Sequence, residues 1–284
     1  MARVLITGGS GLLGQACVIA FRVAGHEVFA PTHAEYDLTF DTVIDALIHT
    51  IKPDVILNCA AQRNPDLCET ASPEVLALNV ALPQRLARFG IPMIHISTDY
   101  VFNGTQAPYE TDAQRKPLNM YGRQKADAEV AIEDLEHVAI LRLPILYGPV
   151  EDLRQSAVTV LAANLLAAKG EPVLMDNLAV RYPTLTTDIA QQLLVMAPLV
   201  GKTLHGIFHY SGEEPITKHL MALHMARILK LDPAMCVPNN QAPTVPRPYD
   251  CHLSSKRLQQ LQLYVPPTTF IDALPLVLNG PKEE

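Results

Sequence analysis

A glycine-rich loop directly after an apolar run is the feature that most constrains how this chain can fold. Residues Val4–Ile6 are apolar and lead at once into TGGSGLLG at positions 7–14. Glycine allows a tight turn and close approach of the backbone to a ligand, and a helix that starts there directs its first N–H groups and its positive dipole end at that ligand. The pattern predicts a strand, an anion-binding turn and a helix. The alternative is a plain β-turn-α connection with incidental glycines.

Short apolar runs continue to alternate with longer amphipathic segments up to about residue 147. They predict strands at Val4–Ile6, Val28–Ala30, Val55–Ala60, Met93–Ser97 and Val138–Leu143, and helices at Leu12–Val23, Asp41–Ile51, Pro73–Phe89 and Leu118–Ile132. This alternation is typical of βαβ units, so we expect an α/β fold with a Rossmann-type doubly wound parallel sheet over residues 1–150.

The pattern changes after Gly148, where the alternation weakens and prolines recur. Helices are predicted at Ser156–Ala168 and Thr187–Met196, and four prolines make Val237–Pro248 an extended stretch. We therefore expect a smaller second domain over residues 151–284, with some segments returning to the first domain.

Composition and charge argue against several classes of protein. With 49% hydrophobic and 18% charged residues, the chain can form a hydrophobic core, and its net charge of -7 without a Lys/Arg cluster disfavours a nucleic-acid partner. Apolar stretches such as Val158–Ala168 fall below the roughly 18 residues that span a bilayer, which disfavours a membrane span. Five cysteines without C-x-x-C spacing are typical of buried reduced thiols, so we expect a cytoplasmic protein without a metal site.

The segment after the second predicted strand bears on the choice of dinucleotide. An acidic residue there normally binds the ribose 2′-OH, and here none occurs before Glu35. This favours NADP, with NAD as the alternative, and makes Thr32 and His33 candidate contacts of a 2′-phosphate, although His33 is equally consistent with an exposed loop. The predicted cofactor-binding residues of this part of the chain are Gly8, Ser10, Gly11, Leu12, Leu13, Gly14, Thr32, His33, Asp37, Leu38, Cys59, Ala60 and Ala61.

A Y-x-x-x-K pattern at Tyr121 and Lys125 places both side chains on one face of a predicted helix. Such a pair occurs by chance in many chains, so its neighbours decide its meaning. The strand Met93–Ser97 ends beside Thr98, which puts a hydroxyl at the carboxyl edge of the sheet, where doubly wound folds bind their ligands.

In this order, the motifs TGxxGxxG, NCAA, STDYVF, YxxxK and RxPxxYG resemble the extended short-chain dehydrogenase/reductases, and among them the dTDP-4-dehydrorhamnose reductase family. The resemblance covers nearly the whole chain, including GIFHYSG at 206–212. Three segments also resemble the regulatory β subunit of methionine adenosyltransferase, which shares the fold but acts as a subunit. They are RLPILYG at 142–148, QSAVTV at 155–160 and RYPT at 181–184.

The resemblance implies roles for the polar residues. Tyr121 is expected to protonate a substrate carbonyl oxygen as hydride arrives from the nicotinamide, and Thr98 to bind that oxygen. Lys125 is expected to favour the tyrosine phenolate by its charge and to hold the nicotinamide ribose. Asn79 resembles a helix asparagine that supports a water path to the lysine, and a capping or packing role is an equal alternative.

The same resemblance implies a nucleotide-sugar substrate bound mainly by the smaller domain. Candidate contacts are Tyr100, Asn103, Arg181 and Arg247, the arginines because a diphosphate needs fixed cations; each arginine is alternatively a surface charge. Ile145 stands where the rhamnose-forming reductases usually carry a tryptophan against the sugar. Two functions therefore stay open: reduction of a nucleotide-sugar 4-keto group, and a cofactor-binding regulatory role. The partners expected with them are a second copy in a homodimer or methionine adenosyltransferase.

Overall fold

A six-stranded parallel sheet forms the centre of the molecule, whose computed structural model describes residues 1–279. Its strands in chain order are β1 (Arg3–Thr7), β2 (Glu27–Phe29), β3 (Val55–Asn58), β4 (Met93–Thr98), β5 (Val138–Leu143) and β10 (Gly206–His209). Six short strands form three two-stranded pairs, β6 with β9, β7 with β12 and β8 with β11: β6 (Leu146–Tyr147), β7 (Val173–Asp176), β8 (Val180–Arg181), β9 (Thr184–Leu185), β11 (Ile216–Thr217) and β12 (Cys236–Asn239).

Helices flank this sheet and also form a separate cluster in the second half of the chain. They are α1 (Leu12–Val23), α2 (Asp41–Ile51), α3 (Pro65–Cys68), α4 (Pro73–Leu76), α5 (Leu82–Ala87), α6 (Met120–Ile132), α7 (Thr159–Ala167), α8 (Thr186–Met196), α9 (Lys218–Ile228), α10 (Lys256–Gln260) and α11 (Phe270–Asn279). Because successive side chains of a strand point to opposite faces, Val4 and Ile6 of β1 enter one buried cluster and Leu5 the other. Both faces of the sheet are therefore covered, as the predicted Rossmann-type fold requires.

The strand order of the central sheet is β10-β5-β4-β3-β1-β2, so the chain reverses its direction of winding between β1 and β3. At such a switch point the loops after two neighbouring strands diverge and leave a crevice for a ligand. The glycine loop follows β1, and Cys59–Ala61 follows β3. The predicted cofactor residues of both loops therefore meet at the switch point.

A separate buried cluster lies in the second half of the chain and includes Tyr147, Val158, Met225 and Phe270. By contrast, β10 pairs with β5 of the central sheet, and residues of α8 such as Ile189 belong to the cluster beside α1. The division into domains at residue 150 stays a prediction, and the last five residues of the second predicted domain lie outside the described residues.

Three predicted helices differ from the observed ones for local reasons. The predicted helix 73–89 contains a π-helical turn at Ala77–Ala81, because Pro83 has no N–H to donate to the carbonyl of Asn79. The helix predicted from residue 118 begins at Met120, since Asn119 caps it. The helix predicted from Ser156 begins at Thr159, where the Ser156 hydroxyl accepts a bond from the backbone N–H. In residues 1–279, no helix combines the length and apolar character needed to cross a membrane.

Candidate active site

The glycine loop is packed too tightly for side chains at three of its positions, Gly8, Gly9 and Gly14. Gly8 has φ +68°, and a Cβ there would lie 2.8 Å from the backbone of Ala60 in the loop after β3. A Cβ at Gly14 would overlap the carbonyl oxygen of Gly8. Gly11 is the N-cap of α1 and offers no side chain to its N–H groups. These N–H groups therefore remain directed toward a ligand, and the cradle fits the pyrophosphate of a dinucleotide.

The start of α6 places Tyr121 against the end of β4. Asn119 caps the helix by accepting a bond from Gly122 N at 2.9 Å, and its amide donates to the Pro246 carbonyl. A Cβ at Gly122 would overlap the carbonyl oxygen of Tyr100. The glycine therefore lets the first turn of α6 touch the segment after Thr98, the last residue of β4.

Tyr121 lies among Thr98, Asp99 and Tyr100, and its ring meets the Tyr100 ring edge-on at 5.9 Å. Burial raises the pKa of Tyr121, with Asp99 and Tyr100 acting in the same direction and a hydrogen bond to Thr98 opposing it. Burial also raises the pKa of Asp99 to about 6, against the charge of Arg181. Tyr121 is therefore a neutral phenol at neutral pH, able to donate a proton.

Lys125 is buried one helical turn from Tyr121, and its Nζ donates to the Ile96 carbonyl at 2.7 Å and lies 3.0 Å from His95 Nε2. Burial lowers the pKa of Lys125 to about 8, although Glu129 and Cys59 raise it. The role that the sequence predicts for this lysine, favouring the tyrosine phenolate by its charge, stays a prediction. Burial is the largest influence on the pKa of Tyr121.

A fully buried ion pair between Glu129 and Arg142 lies next to the site. Glu129, one turn beyond Lys125, accepts bonds from Arg142 on β5 at 2.6 and 2.9 Å, from Arg115 at 2.6 Å and from Ser97 at 2.5 Å. These bonds hold the pKa of Glu129 below its ordinary value despite burial. The network fixes α6, and with it Tyr121 and Lys125, to β4 and β5.

Three cations gather on the side of Tyr100 that faces the second half of the chain. Arg181 is 3% exposed, lies over the Tyr100 ring at 5.8 Å and donates to the Pro248 carbonyl at 2.9 Å. Arg247 binds Asp66 at 3.1 Å. Lys218, the first residue of α9, is the third, and burial together with Arg247 and Arg181 lowers its pKa to about 8.

Sequence reasoning did not identify Lys218. A single lysine after Thr217 carries no motif, and only the folded chain brings it near two arginines. Two guanidinium groups near one ammonium favour an anion, which would compete with Asp66, the present partner of Arg247, and with the nearby Asp176.

The loop after β2 is exposed and already makes its own contacts. Thr32 donates from its backbone N and its hydroxyl to the Glu35 carboxylate, at 3.0 and 2.8 Å. His33 Nδ1 lies 4.0 Å from the carboxylate of Asp37, which is also bonded to Thr39. A 2′-phosphate at Thr32 would therefore have to displace the Glu35 carboxylate. The position of Glu35 in the sequence did not predict its bonds to Thr32.

Five other predicted residues make structural contacts. Asn79 accepts a bond from Gln62 N at 2.8 Å and donates to Gln124 Oε1 at 2.8 Å, which matches its packing alternative. Asn103 accepts from Tyr109 Oη at 2.9 Å, and Leu38 and Leu13 are buried in the core. Ile145 is partly buried and packs against the cluster that includes Tyr147 and Phe270. Their contacts with a cofactor or substrate stay predictions.

The remaining predicted residues flank the site. Ser10 and Gly11 are exposed and Leu12 is half-buried at the start of α1, while Cys59, Ala60 and Ala61 are half-buried at the switch point. Within residues 1–279, no three His, Cys, Asp or Glu side chains form a set that could hold a metal ion.

A family model and several known proteins match most of this chain. A family model described as RmlD substrate binding domain matches residues 2–280. Methionine adenosyltransferase 2 subunit beta of Xenopus tropicalis is 35% identical over 275 residues, which cover 91% of this chain and 82% of that protein. A probable dTDP-4,6-dihydroxy-2-methyloxan-3-one 4-ketoreductase of Streptomyces antibioticus is 31% identical over 247 residues, covering 84% and 81%.

Among solved structures, the dTDP-4-dehydrorhamnose reductase of Bacillus anthracis in complex with NADP has a TM-score of 0.85 at 21% identity, and the match covers 99% of this chain and 100% of that one. That likeness concerns the fold. The family model and the relatives each extend over most of the chain, and they confirm the predicted resemblance. The chain belongs to the family of the RmlD substrate binding domain.

Proposed function

We propose that this chain is an NAD(P)H-dependent reductase of a nucleotide-sugar 4-keto group, similar to the dTDP-4-dehydrorhamnose reductases. The observation that carries the proposal is the gathering of Thr98, Tyr121 and Lys125 at the carboxyl edge of the sheet. The glycine cradle after β1 opens at the same edge. The Streptomyces ketoreductase relative, at 31% identity, adds support from a protein named for reducing a sugar ketone.

The cofactor proposed is NADP, with NAD as the alternative. Its pyrophosphate would lie on the glycine loop at Gly8, Gly11 and Gly14, and Lys125 would hold the nicotinamide ribose. When bound, the reduced cofactor supplies the hydride. The Bacillus anthracis reductase has NADP in its structure, which agrees with this assignment at the level of the fold.

The side chains supply the proton and the electrostatic support. Burial keeps Tyr121 neutral, so its phenol can protonate the carbonyl oxygen that becomes the alcohol. Thr98, which lies beside Tyr121 at the end of β4, would bind the same oxygen while negative charge develops on it. Lys125 is charged below its pKa of about 8 and would stabilise the tyrosine phenolate that remains.

The cation cluster of Arg181, Lys218 and Arg247 would take the diphosphate of the nucleotide sugar. Guanidinium groups pair with phosphate oxygens in a bidentate manner, and an ammonium at a helix N-terminus adds a point charge. An anion among the three would also relieve their mutual repulsion. The pKa of Lys218 should then rise when substrate binds.

A second candidate function is that of a regulatory subunit of methionine adenosyltransferase. The specific observation in its favour is 35% identity to the beta subunit of that enzyme over 91% of this chain. Ile145 at the usual place of tryptophan points the same way, because isoleucine offers no flat surface to a sugar ring. We favour the reductase because a subunit without turnover has no physical need of Thr98, Tyr121 and Lys125 together.

The deciding experiment assays NADPH oxidation with a panel of dTDP-, UDP- and GDP-linked 4-keto sugars. In parallel, the full chain is mixed with a methionine adenosyltransferase catalytic subunit and passed over a size-exclusion column. Oxidation of NADPH by one of the sugars supports the reductase. A stable complex without turnover on any sugar would establish the regulatory function instead.

Lys218→Met tests the substrate class in the same assay. Loss of this cation should raise KM for the nucleotide sugar at least about tenfold and leave kcat nearly unchanged, since the cluster binds the ground state and transition state alike. Lys256→Met is the matched control, because Lys256 is also the first residue of a helix but is exposed. An equal effect of both changes would contradict the assignment.

A further inference from the structure

A row of three polar side chains crosses the centre of the sheet beside Lys125. Thr7 of β1 is the register partner of Asn58 on β3, and Asn58 is the register partner of His95 on β4. All three are at most 1% exposed. Register partners on neighbouring strands point to the same face, so these side chains form one line, here called the polar row.

Hydrogen bonds connect the polar row to the candidate catalytic lysine. Thr7 Oγ1 and Asn58 Oδ1 are 2.7 Å apart, the Asn58 amide lies 3.1 Å from His95 Nδ1, and His95 Nε2 lies 3.0 Å from Lys125 Nζ. The chain of contacts thus runs from the residue before the glycine loop to the ammonium of α6. His95 therefore has a partner at each ring nitrogen, Asn58 at Nδ1 and Lys125 at Nε2.

The polar row interrupts an otherwise apolar face. Two positions earlier on the same three strands stand Leu5, Ile56 and Met93, all within one buried cluster with α2 and α5. Apolar side chains could have continued that cluster without the desolvation cost of an amide and an imidazole. Polar groups placed against the local packing pattern are typical of functional positions, and this row ends on Lys125.

Of the side chains around Lys125, His95 is an uncharged hydrogen-bond partner. Glu129 on the same helix is paired with Arg142 and Arg115, and Cys59 faces the lysine from the loop after β3. Burial and the nearby lysine hold the pKa of His95 well below its ordinary value, so the imidazole is uncharged. A neutral imidazole has one donor nitrogen and one acceptor nitrogen.

The ammonium form of Lys125 determines which nitrogen is which. Nζ donates, so Nε2 of His95 must accept and Nδ1 must carry the hydrogen. Nδ1 then donates to the oxygen of the Asn58 amide, whose nitrogen donates to Thr7 Oγ1. In the structure the nitrogen end of the amide faces His95, and a 180° turn of the amide gives the required orientation in the same space.

We propose that His95 is a positioning residue for Lys125. Nε2 of His95 accepts a hydrogen bond from Lys125 Nζ, and Asn58 and Thr7 hold the imidazole in the tautomer with hydrogen on Nδ1. The catalytic consequence rests on the proposed function: the bond fixes the ammonium where it stabilises the Tyr121 phenolate. The bond itself does not depend on any substrate.

Two substitutions of His95 separate its two nitrogens. In His95→Gln the amide oxygen can take the place of Nε2 and keep the bond to Lys125. In His95→Asn the shorter amide can reach Asn58 but leaves Nζ without this acceptor. Both variants bury one neutral amide, so each controls for the polarity of the other.

The readout is the pKa of Lys125, measured by NMR of ¹³Cε-labelled lysine in the full chain, with Lys125→Met identifying the signal. We expect His95→Gln to keep the wild-type value and His95→Asn to lower it by about one unit, a tenfold change in the ionisation constant. Where a substrate is in hand, kcat should fall in His95→Asn and recover in His95→Gln. Equal Lys125 pKa values in the two variants would overturn the proposal.

A second measurement uses the wild-type protein and does not depend on the folding of any variant. The ¹⁵N shifts of His95 in the wild-type protein at pH 7 should report a neutral ring with hydrogen on Nδ1. A ring with hydrogen on Nε2, or a charged ring, would contradict the proposal. Because both NMR results are obtained without substrate, failure of the reductase assay leaves them interpretable, and their failure leaves the reductase assignment standing.

Discussion

The two ends of the candidate cofactor site differ in how firmly their side chains are held. At the chemical end (Thr98, Tyr121 and Lys125), Lys125 is 1% exposed and bonded on two sides, and the Glu129–Arg142 pair fixes its helix. At the adenosine end (residues 32–38), Thr32, His33 and Glu35 are exposed, and their contacts are with neighbours in the same loop. The chemical end is organised before a ligand arrives, whereas the adenosine end can exchange partners. The fold therefore fixes the chemistry more strongly than the choice of dinucleotide.

Gly14→Ala should cause the largest change, because it acts on the cradle that both ends share. A methyl group there would overlap the Gly8 carbonyl oxygen and push the loop away from α1. We expect NADPH affinity to fall by at least about 100-fold, or about 2.7 kcal/mol. The chain has no tryptophan, so the emission of bound NADPH measures this without indole interference.

Gly11→Ala is the matched control for that loss. Its methyl group would lie 3.2 Å from the same oxygen, so a small shift accommodates it. The affinity should fall much less than in Gly14→Ala. Equal losses, with both variants folded by circular dichroism, would show that the cradle is not built as described.

Glu129→Gln tests how far the chemical end depends on its buried ion pair. The change leaves Arg142 buried and without its countercharge, and such a loss typically costs about 3 to 5 kcal/mol of folding free energy. Urea denaturation measures the cost. Glu35→Gln at the adenosine end is exposed and should change stability by less than about 0.5 kcal/mol. Similar costs at the two positions would contradict the contrast between the ends.

Buried histidines should make the stability fall as the pH drops below 6.5. Burial lowers the pKa of His95 well below its ordinary 6.5 and that of His209, bonded to Arg142, to about 3. Between those values the unfolded chain binds a proton that the folded chain does not. The free energy of unfolding therefore decreases as the pH falls. Each histidine should remove about 1 kcal/mol between pH 6.5 and 5.5.

Denaturation curves at the two pH values check this, with His209→Gln expected to reduce the loss by its share. A loss unchanged in His209→Gln would refute the buried, neutral state of this histidine.

Glu35→Gln should have the smallest effect, a shift in preference toward NADPH of about three- to tenfold. The Glu35 carboxylate occupies the donors of Thr32 that a 2′-phosphate would use, and removing its charge frees them without repulsion. Titration of the variant with NADPH and NADH measures the ratio of affinities. A shift toward NADH would mean that the 2′ position does not lie at Thr32.

Local signals in the sequence predicted much of the fold. The helices Leu12–Val23 and Asp41–Ile51 and the strand Val138–Leu143 have the predicted bounds, because apolar spacing and flanking turn residues determine them within a few positions. The π-helical turn at Ala77–Ala81 was not predicted, since it depends on where the missing N–H of Pro83 falls in a helix held by tertiary contacts.

The residues that sequence reasoning missed all depend on distant contacts. His95 reads as a core residue of a strand until its register with Asn58 is known. Lys218 becomes part of a cation cluster only when α9 comes near Arg181 and Arg247. Glu129 reads as a helix-surface charge until Arg142 of β5 meets it. Motifs report residues close in sequence, and these partners are 13 or more positions apart.

Tyr121→Phe tests the central claim most directly. With the nucleotide 4-keto sugar that the wild-type chain reduces, we expect kcat to fall at least about 100-fold while NADPH affinity stays within about twofold, because the change removes a proton donor and leaves the glycine cradle intact. Tyr100→Phe, the neighbouring tyrosine whose ring meets Tyr121 at 5.9 Å, controls for the loss of a hydroxyl in the same pocket and should reduce kcat far less. Near wild-type turnover by Tyr121→Phe would contradict the account.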